Sequence, residues 1–346
     1  MTAAGRVGIG VLGCGRMGSA HARIIAGLVP QARLVALGDV QVDAAHRLAA
    51  ELDGPRVHDS AEALAADPDV QAVLVAVSSS RHLDAVRAIA AAGKDILCEK
   101  PLALTLPETD AAIAATDAAG VRLQVAFMRR HDPDHRRAKE RLASGALGRP
   151  FLFQSLQLDM EPPPLAFCDP RVSGGIFVDM GIHEFDLARW LMDDEVDEVT
   201  AYGSTLSHPE LATVGDVDSA VAILRFASGA TGTVTLGRDT TYGEDVRTEV
   251  TATAGSVWLG SLQPGHGAVS GPNAITRDFL DPAIPRFERA YAEQTRAFVR
   301  AIAEGRPVSV TGHDSRAALV IALAADRSMR EGRPVRVAEV ATPPGR

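Results

Sequence analysis

Along the first 126 residues one pattern recurs. A short aliphatic or β-branched run leads through a turn into an alanine-rich segment whose apolar positions fall three and four apart. Residues 7–12, 33–37, 72–77, 95–98 and 122–126 predict strands, with helices between them at 17–28, 42–52, 83–92 and 107–119. Alternation of this kind predicts a parallel sheet, and a run as uniformly apolar as 72–77 suits a strand covered on both faces. After residue 127 the texture changes. A basic stretch over 129–141 predicts a charged helix ending near Gly145, and residues 150–158, 198–205, 217–226, 231–236, 248–253 and 257–259 predict strands, with Ala227-Ser228-Gly229 as a hairpin turn. Helices are expected at 286–303 and 315–330, each followed by Gly-Arg-Pro, in which glycine and then proline stop the helix. The expected class is α/β, with a boundary near residue 127: a parallel-sheet domain over 1–127, then an α+β domain over 128–346 whose sheet is mostly antiparallel and backed by helices.

Composition narrows the choice of function. The 346 residues suffice for roughly two domains at about 150 each, and 46% hydrophobic with 23% charged residues is an ordinary globular balance. Acidic residues outnumber basic ones, 44 to 35, so a formal net charge of −9 repels phosphate polymers and no nucleic-acid partner is expected. Cys14, Cys98 and Cys168 lie far apart without CxxC spacing, which fits reduced thiols in a cytoplasmic protein better than a disulfide frame or structural zinc site. The apolar stretch at 317–325 is far shorter than the roughly 20 residues that cross a bilayer, and residues 1–5 lack the basic start of a secretory leader. No membrane association is expected.

Gly13-Cys14-Gly15-Arg16-Met17-Gly18 follows a predicted strand and opens a predicted helix. In that setting the first glycine permits a tight turn, the second lets backbone approach a pyrophosphate, and the third allows close helix packing, while the helix N-terminus offers N–H groups to the anion. Asp39 ends the second strand about 20 residues on, where a carboxylate can accept both ribose hydroxyls and repel a 2′-phosphate. Val40, not arginine, follows it, so NAD is favoured over NADP; capping of the next helix is the alternative role for Asp39. Ser78 and His82, after the third strand, are candidates for the cofactor mouth, His82 being equally explicable as a helix-start residue. Glu99-Lys100-Pro101 follows the next strand at a carboxyl end, where open α/β sheets bind ligands. Lys100 there is either a cation offered to a substrate hydroxyl or a solvated charge.

In the second half Gly174-Gly175-Ile176-Phe177-Val178-Asp179-Met180-Gly181-Ile182-His183-Glu184-Phe185-Asp186 is the most informative stretch. Asp179 and His183 are four apart, on one face of a helix, with Asp186 nearly in line. A carboxylate beside an imidazole raises its proton affinity and steadies it, as abstraction of an alcohol proton near neutral pH requires. A structural Asp/His pair is the competing account. A metal site would need a third ligand that the sequence does not offer, and no metal is expected.

Together these motifs resemble the glucose–fructose oxidoreductase, inositol dehydrogenase and MocA (Gfo/Idh/MocA) family over essentially the whole chain, most closely its inositol 2-dehydrogenases. The resemblance implies a Rossmann domain joined to a C-terminal domain whose open sheet serves in oligomer contacts, hence a homo-oligomer, dimer or tetramer. It implies Lys100, Asp179 and His183 as the catalytic set: His183 accepts the proton, Asp179 partners it, and Lys100 positions the alcohol beside the nicotinamide. Phe127-Met128-Arg129-Arg130-His131-Asp132 and Tyr242-Gly243 also resemble inositol-dehydrogenase segments, which carries Arg129 and Tyr242 over as substrate contacts. Gln157 and Asp159, carried as substrate contacts, depart from the histidine and asparagine those enzymes tend to offer the polyol; the extra carboxylate at Asp159 would favour an amino-substituted cyclitol or sugar. The implied activity is NAD-dependent oxidation of a secondary alcohol on a cyclic polyol. Keto-sugar reduction in the opposite direction and a non-catalytic dinucleotide sensor are the alternatives.

Overall fold

The computed structural model describes residues 5–260, 268–270, 275–277 and 283–341. The first four residues, which belong to the segment read above for a leader, lie outside this range. The chain divides into two compact units: Met1–Asp132 with Phe287–Leu319, and Pro133–Arg286 with Val320–Arg346.

In the first unit, strands β1 (Val7–Leu12), β2 (Ala32–Gly38), β3 (Arg56–His58), β4 (Ala72–Val75), β5 (Asp95–Cys98) and β6 (Leu123–Val125) form a parallel sheet in the order β3-β2-β1-β4-β5-β6. This is the doubly wound order whose reversal, between β1 and β4, creates a ligand crevice at the carboxyl ends. β1 and β4 are buried at every position, as their unbroken apolar runs predict. Helices α1 (Arg16–Leu28), α2 (Val42–Glu51), α3 (Ala61–Ala66), α4 (His82–Ala91) and α5 (Leu106–Ala119) connect the strands. α1 buries Gly18, His21, Ala22, Ile24 and Ile25, one stripe of its surface. α5 starts at an N-cap, in which the Thr105 hydroxyl accepts the Glu108 N–H and donates to the Glu108 carboxylate, and it ends at Gly120 with φ of +65°.

β3 and α3 were not predicted, because at three and six residues each is too short to show a period. An ion cluster ties β3 to the end of α3, whose Leu64 and Ala65 are buried. Arg56 grips Asp67 with two nitrogens at 2.6 and 2.7 Å, while His58 and the Asp69 N–H reach the same carboxylate at 3.0 Å. The Arg56 hydrogen bond holds the Asp67 carboxyl down to about 2, from 3.8. A carboxylate depressed in the folded state stabilises above its unfolded value and loses that contribution as pH falls. Asp67→Asn is therefore expected to lower Tm at pH 6, with the gap from wild type closing between pH 3.8 and about 2; a gap of constant size across that window would refute the linkage.

The second unit is built on a sheet of order β12-β11-β7-β10-β9-β8-β15. Its strands are β7 (Pro150–Leu158), β8 (Val196–Ser204), β9 (Ser219–Phe226), β10 (Thr231–Gly237), β11 (Asp245–Ala252), β12 (Gly255–Leu259) and β15 (Val335–Arg336). All described pairings are antiparallel except β7 with β10. A separate ribbon pairs β13 (Ala268–Ser270) with β14 (Ile275–Arg277). Helix α6 (Pro133–Ala143) precedes the sheet, and the short α7 (Leu165–Cys168), α8 (Pro170–Ser173) and α9 (Gly175–Asp179) lead into α10 (Gly181–Met192). The charged helix expected from residue 129 begins instead at Pro133, after a 3₁₀ turn at 128–131, because proline drives the residue before it out of helical conformation. α10 packs on β7 and β10. β9 alternates strictly, burying Ala220, Ala222, Leu224 and Phe226 while Val221 and Ile223 stay exposed, the mark of a sheet covered on one face. α11 (Ala283–Ala303), α12 (Gly312–Glu331) and α13 (Ala338–Ala341) complete the chain.

Candidate active site

The glycine motif folds as the sequence predicts. Gly13 sits at φ of +94°, and a Cβ added at Gly18 would lie 1.7 Å from the Gly13 carbonyl oxygen, so only glycine lets α1 pack this close to the turn. At Gly15 an added Cβ meets nothing within 4 Å, and no side chain caps α1 there. The first amides of the helix, beginning with Arg16 and Met17, are therefore available to an anion. Beside this turn a cleft of about 430 Å³ is lined by Gly13, Gly15, Asp39, Val40, Ser78 and Arg81 among others. Asp39 stands on its rim, with Oδ2 accepting the Cys14 N–H at 2.6 Å and Oδ1 the Gln41 N–H at 2.7 Å. Neither bond is a helix cap, since α2 starts from Gln41, and each oxygen keeps a lone pair for a ribose hydroxyl. Burial and the Asp39 charge push the Cys14 thiol up to about 11, leaving it neutral. The bare glycine shelf, the uncapped helix and the oriented carboxylate fit the two phosphates and adenosine ribose of a dinucleotide.

Behind the cleft, at the carboxyl end of β5, the Glu99–Lys100 segment is held from two sides. Glu99 is buried; one oxygen meets His21 Nε2 at 2.7 Å and the other accepts the Lys100 N–H at 3.1 Å. Burial alone would raise the Glu99 carboxyl, but the His21 hydrogen bond and the neighbouring Lys100 hold it below its ordinary value. His82 is buried with Nδ1 2.7 Å from the Pro101 carbonyl and Nε2 3.1 Å from that of Val77. The structure thus places His82 in the support of the segment carrying Lys100, and burial pushes its imidazole down. Arg129 is also buried in this unit, its guanidinium carbon 5.4 Å from the Phe287 ring centre.

In the second unit the 174–186 stretch is two helices, not one. Both glycines at its start take positive φ, +86° and +76°, and the helix breaks at Met180, where the His183 N–H reaches back three residues to the Met180 carbonyl. Gly181 follows the break in a tight place: a Cβ there would lie 3.0 Å from Leu236 and 3.1 Å from Phe185. Asp179 ends α9 and His183 lies in the first turn of α10. Leu191 is buried and Trp190 half-buried. At the same end of the sheet the Gln157 amide donates to Asp159 Oδ1 at 3.4 Å, and the Asp159 N–H bonds the Gly237 carbonyl. Tyr242 donates its hydroxyl to the buried Asp245 at 3.1 Å; burial and that carboxylate push the phenol up. Sequence reasoning missed Arg238 and Asp216, which hold Asp179 and α9. A lone arginine after a strand gives no signal, because its burial follows from the fold. Among the described residues no cluster of His, Cys, Asp and Glu is arranged to hold a metal ion, and the three cysteines are buried thiols.

Comparisons with known proteins agree with this architecture. Residues 7–127 match the family model for the oxidoreductase family with an NAD-binding Rossmann fold, and residues 135–258 match the Gfo/Idh/MocA C-terminal domain. Myo-inositol 2-dehydrogenase of Thermotoga maritima is 37% identical over 96% of this chain and 99% of its own length. The scyllo-inositol 2-dehydrogenase (NAD(+)) of Bacillus subtilis is 36% identical over 94% and 95%. Among solved structures, scyllo-inositol dehydrogenase from Lactobacillus casei with bound NAD(H) and scyllo-inositol superimposes with a TM-score of 0.89, at 27% identity, covering 96% of this chain and 99% of that one. The chain belongs to the Gfo/Idh/MocA family of oxidoreductases.

Proposed function

We propose that this protein is an NAD-dependent dehydrogenase oxidising a secondary alcohol of a cyclic polyol, an inositol or related cyclitol or sugar, to the ketone. End-to-end likeness to inositol dehydrogenases carries the reading, and the cleft beside the glycine turn, with Asp39 on its rim, supports it. Bound NAD supplies the acceptor for the hydride leaving the carbinol carbon. The chain supplies the rest. His183 takes the hydroxyl proton, Asp179 steadies the resulting imidazolium, and Lys100 presents its ammonium to the reacting oxygen. Arg129, Gln157, Asp159 and Tyr242 contact the ring substituents, while backbone at 13–18 receives the pyrophosphate and Asp39 the adenosine ribose.

In this reading residues 1–127 serve the nucleotide, and the following domain serves the substrate and self-association. The uncovered sheet face supports a homo-oligomer: Tyr202 and Val221 pair across β8 and β9, and Ile223 and Trp258 fall on the same side by register, all four exposed. No helix among the described residues is long and apolar enough to cross a membrane, and three thiols without disulfides support a reducing cytoplasm.

The test is a panel of inositols, amino-cyclitols and pyranoses assayed by formation of reduced cofactor, with NADP in parallel. NADH should form with at least one cyclitol, and amino-cyclitols belong in the panel because Asp159 offers them a carboxylate. Turnover of none would overturn the proposal. A strong NADP preference would overturn the role given to Asp39.

A further inference from the structure

Arg238 follows β10 and its side chain is 0% exposed. Its guanidinium faces two carboxylates: Nη1 donates to Asp179 at 3.2 Å and Nη2 to Asp216 at 2.8 Å. The second Asp216 oxygen accepts the Ile176 N–H at 2.9 Å, in the first turn of the helix that Asp179 ends. The Arg238 N–H in turn bonds the Asp218 carbonyl at 2.8 Å. One arginine therefore ties the end of β10, the approach to β9 and both ends of α9 into a single buried network. A fully buried guanidinium is expensive unless paired, and an apolar side chain would fill the same space without that cost. What the arginine adds is a fixed, permanently charged fork against Asp179.

We propose that Arg238, anchored by Asp216, is the positioning residue of the acid–base pair: it fixes the Asp179 carboxylate and offsets part of its charge, and so sets how tightly His183 holds a proton. This deepens the proposed function and rests on it for the role of His183. Other titratable groups stand on the neighbouring elements. Cys168 on α7 is a thiol that burial pushes up while Arg238 pulls it down. On α12, Asp326 pairs with Arg330 and is pushed up by burial. On α10 stand Glu184, bonded to Ser155, and Asp186. The Asp218 carboxylate is engaged by the Ser207 and His208 N–H groups.

The sign of each perturbation follows from Coulomb's law. Losing the cation leaves the Asp179 and Asp216 carboxylates uncompensated and should raise the proton affinity of His183; losing the Asp216 charge should lower it. A unit charge about 4–12 Å away at an effective dielectric near 20 moves a titration by roughly one to three pH units.

Two readouts test this: NMR titration of the His183 imidazole, identified by its disappearance in His183→Gln, and the pH profile of kcat/KM. Arg238→Met should titrate higher than wild type by roughly one unit or more, and Asp216→Asn lower. Arg238→Lys keeps the charge, so its titration should stay near wild type while kcat falls more than KM rises, because the fork is lost. Asp216→Asn and Arg238→Lys each keep a bond to their neighbours and serve if Arg238→Met does not fold. Opposite shifts for the two charge-removing variants support the assignment, as does a lowered Asp216→Asn titration beside an unmoved Arg238→Lys, whether or not any polyol is turned over. A His183 titration that Asp216→Asn leaves in place overturns it, even if His183→Ala abolishes turnover of a cyclitol and so upholds the parent reading.

Discussion

Replacing His183 with alanine is expected to lower kcat for polyol oxidation by roughly 10² to 10⁴ while leaving NAD affinity within about twofold of wild type, because a positioned base contributes a factor of that size to proton transfer. The split between turnover and cofactor binding is the informative part. His183 is buried to 7% exposure at the start of α10, in the second unit, whereas the dinucleotide cleft is built wholly from the first. With a base of this kind, wild-type oxidation should rise with pH until the imidazole is neutral and then level off, and the variant should lose that limb. Steady-state kinetics on the best polyol of the panel, with NAD titrated by fluorescence, checks both halves. Undiminished turnover would remove His183 from the mechanism.

Gly18→Ala carries the second large effect, at the other end of the chemistry. The added carbon would sit 1.7 Å from the Gly13 carbonyl oxygen and 2.8 Å from its carbon, both backbone atoms that no rotamer change can clear. Either α1 or the turn must shift, at a cost of ~1–3 kcal/mol for overpacking, and the amides meant for the pyrophosphate shift with it. Thermal stability should fall and NAD affinity should drop at least tenfold. Gly15→Ala separates the causes. Nothing lies within 4 Å of its new carbon, so the fold should keep its Tm while the methyl group obstructs approach of the phosphates. If Gly18→Ala binds NAD like wild type, the turn is not the phosphate seat.

Much of this architecture was legible because it is local. Strand and helix periods and the GxGxxG turn are properties of contiguous residues, and β1, β4 and β5 lie where apolar runs put them. The candidate residues were legible for the same reason: Asp39 and Lys100 each follow a strand, and Asp179 and His183 share a short stretch. What escaped depends on distant partners. β3 and α3 are too short to show a period, and the Arg56–Asp67 ion pair that ties them spans eleven residues. The break at Met180 comes just before Gly181, where Leu236 and Phe185 leave a side chain little room. Arg238 acquires meaning only when β10 brings it to Asp179, 59 residues earlier in the chain.

Residues 287–319 belong to the first unit, although more than 150 residues separate them from Asp132. Their ties are specific: Val125 N–H to the Val310 carbonyl at 3.1 Å, Arg130 to Asp314 at 3.1 Å, and Arg316 to Asp110 at 2.5 Å. During synthesis the nucleotide-binding half therefore emerges first yet stays unfinished until nearly the whole polypeptide has left the ribosome. At elongation rates of about 5–20 residues per second, the β6 edge waits on the order of ten seconds for its partner, an interval in which chaperones have a reason to hold it. A premature stop anywhere before residue 287 would for the same reason damage the half of the protein encoded well upstream of it.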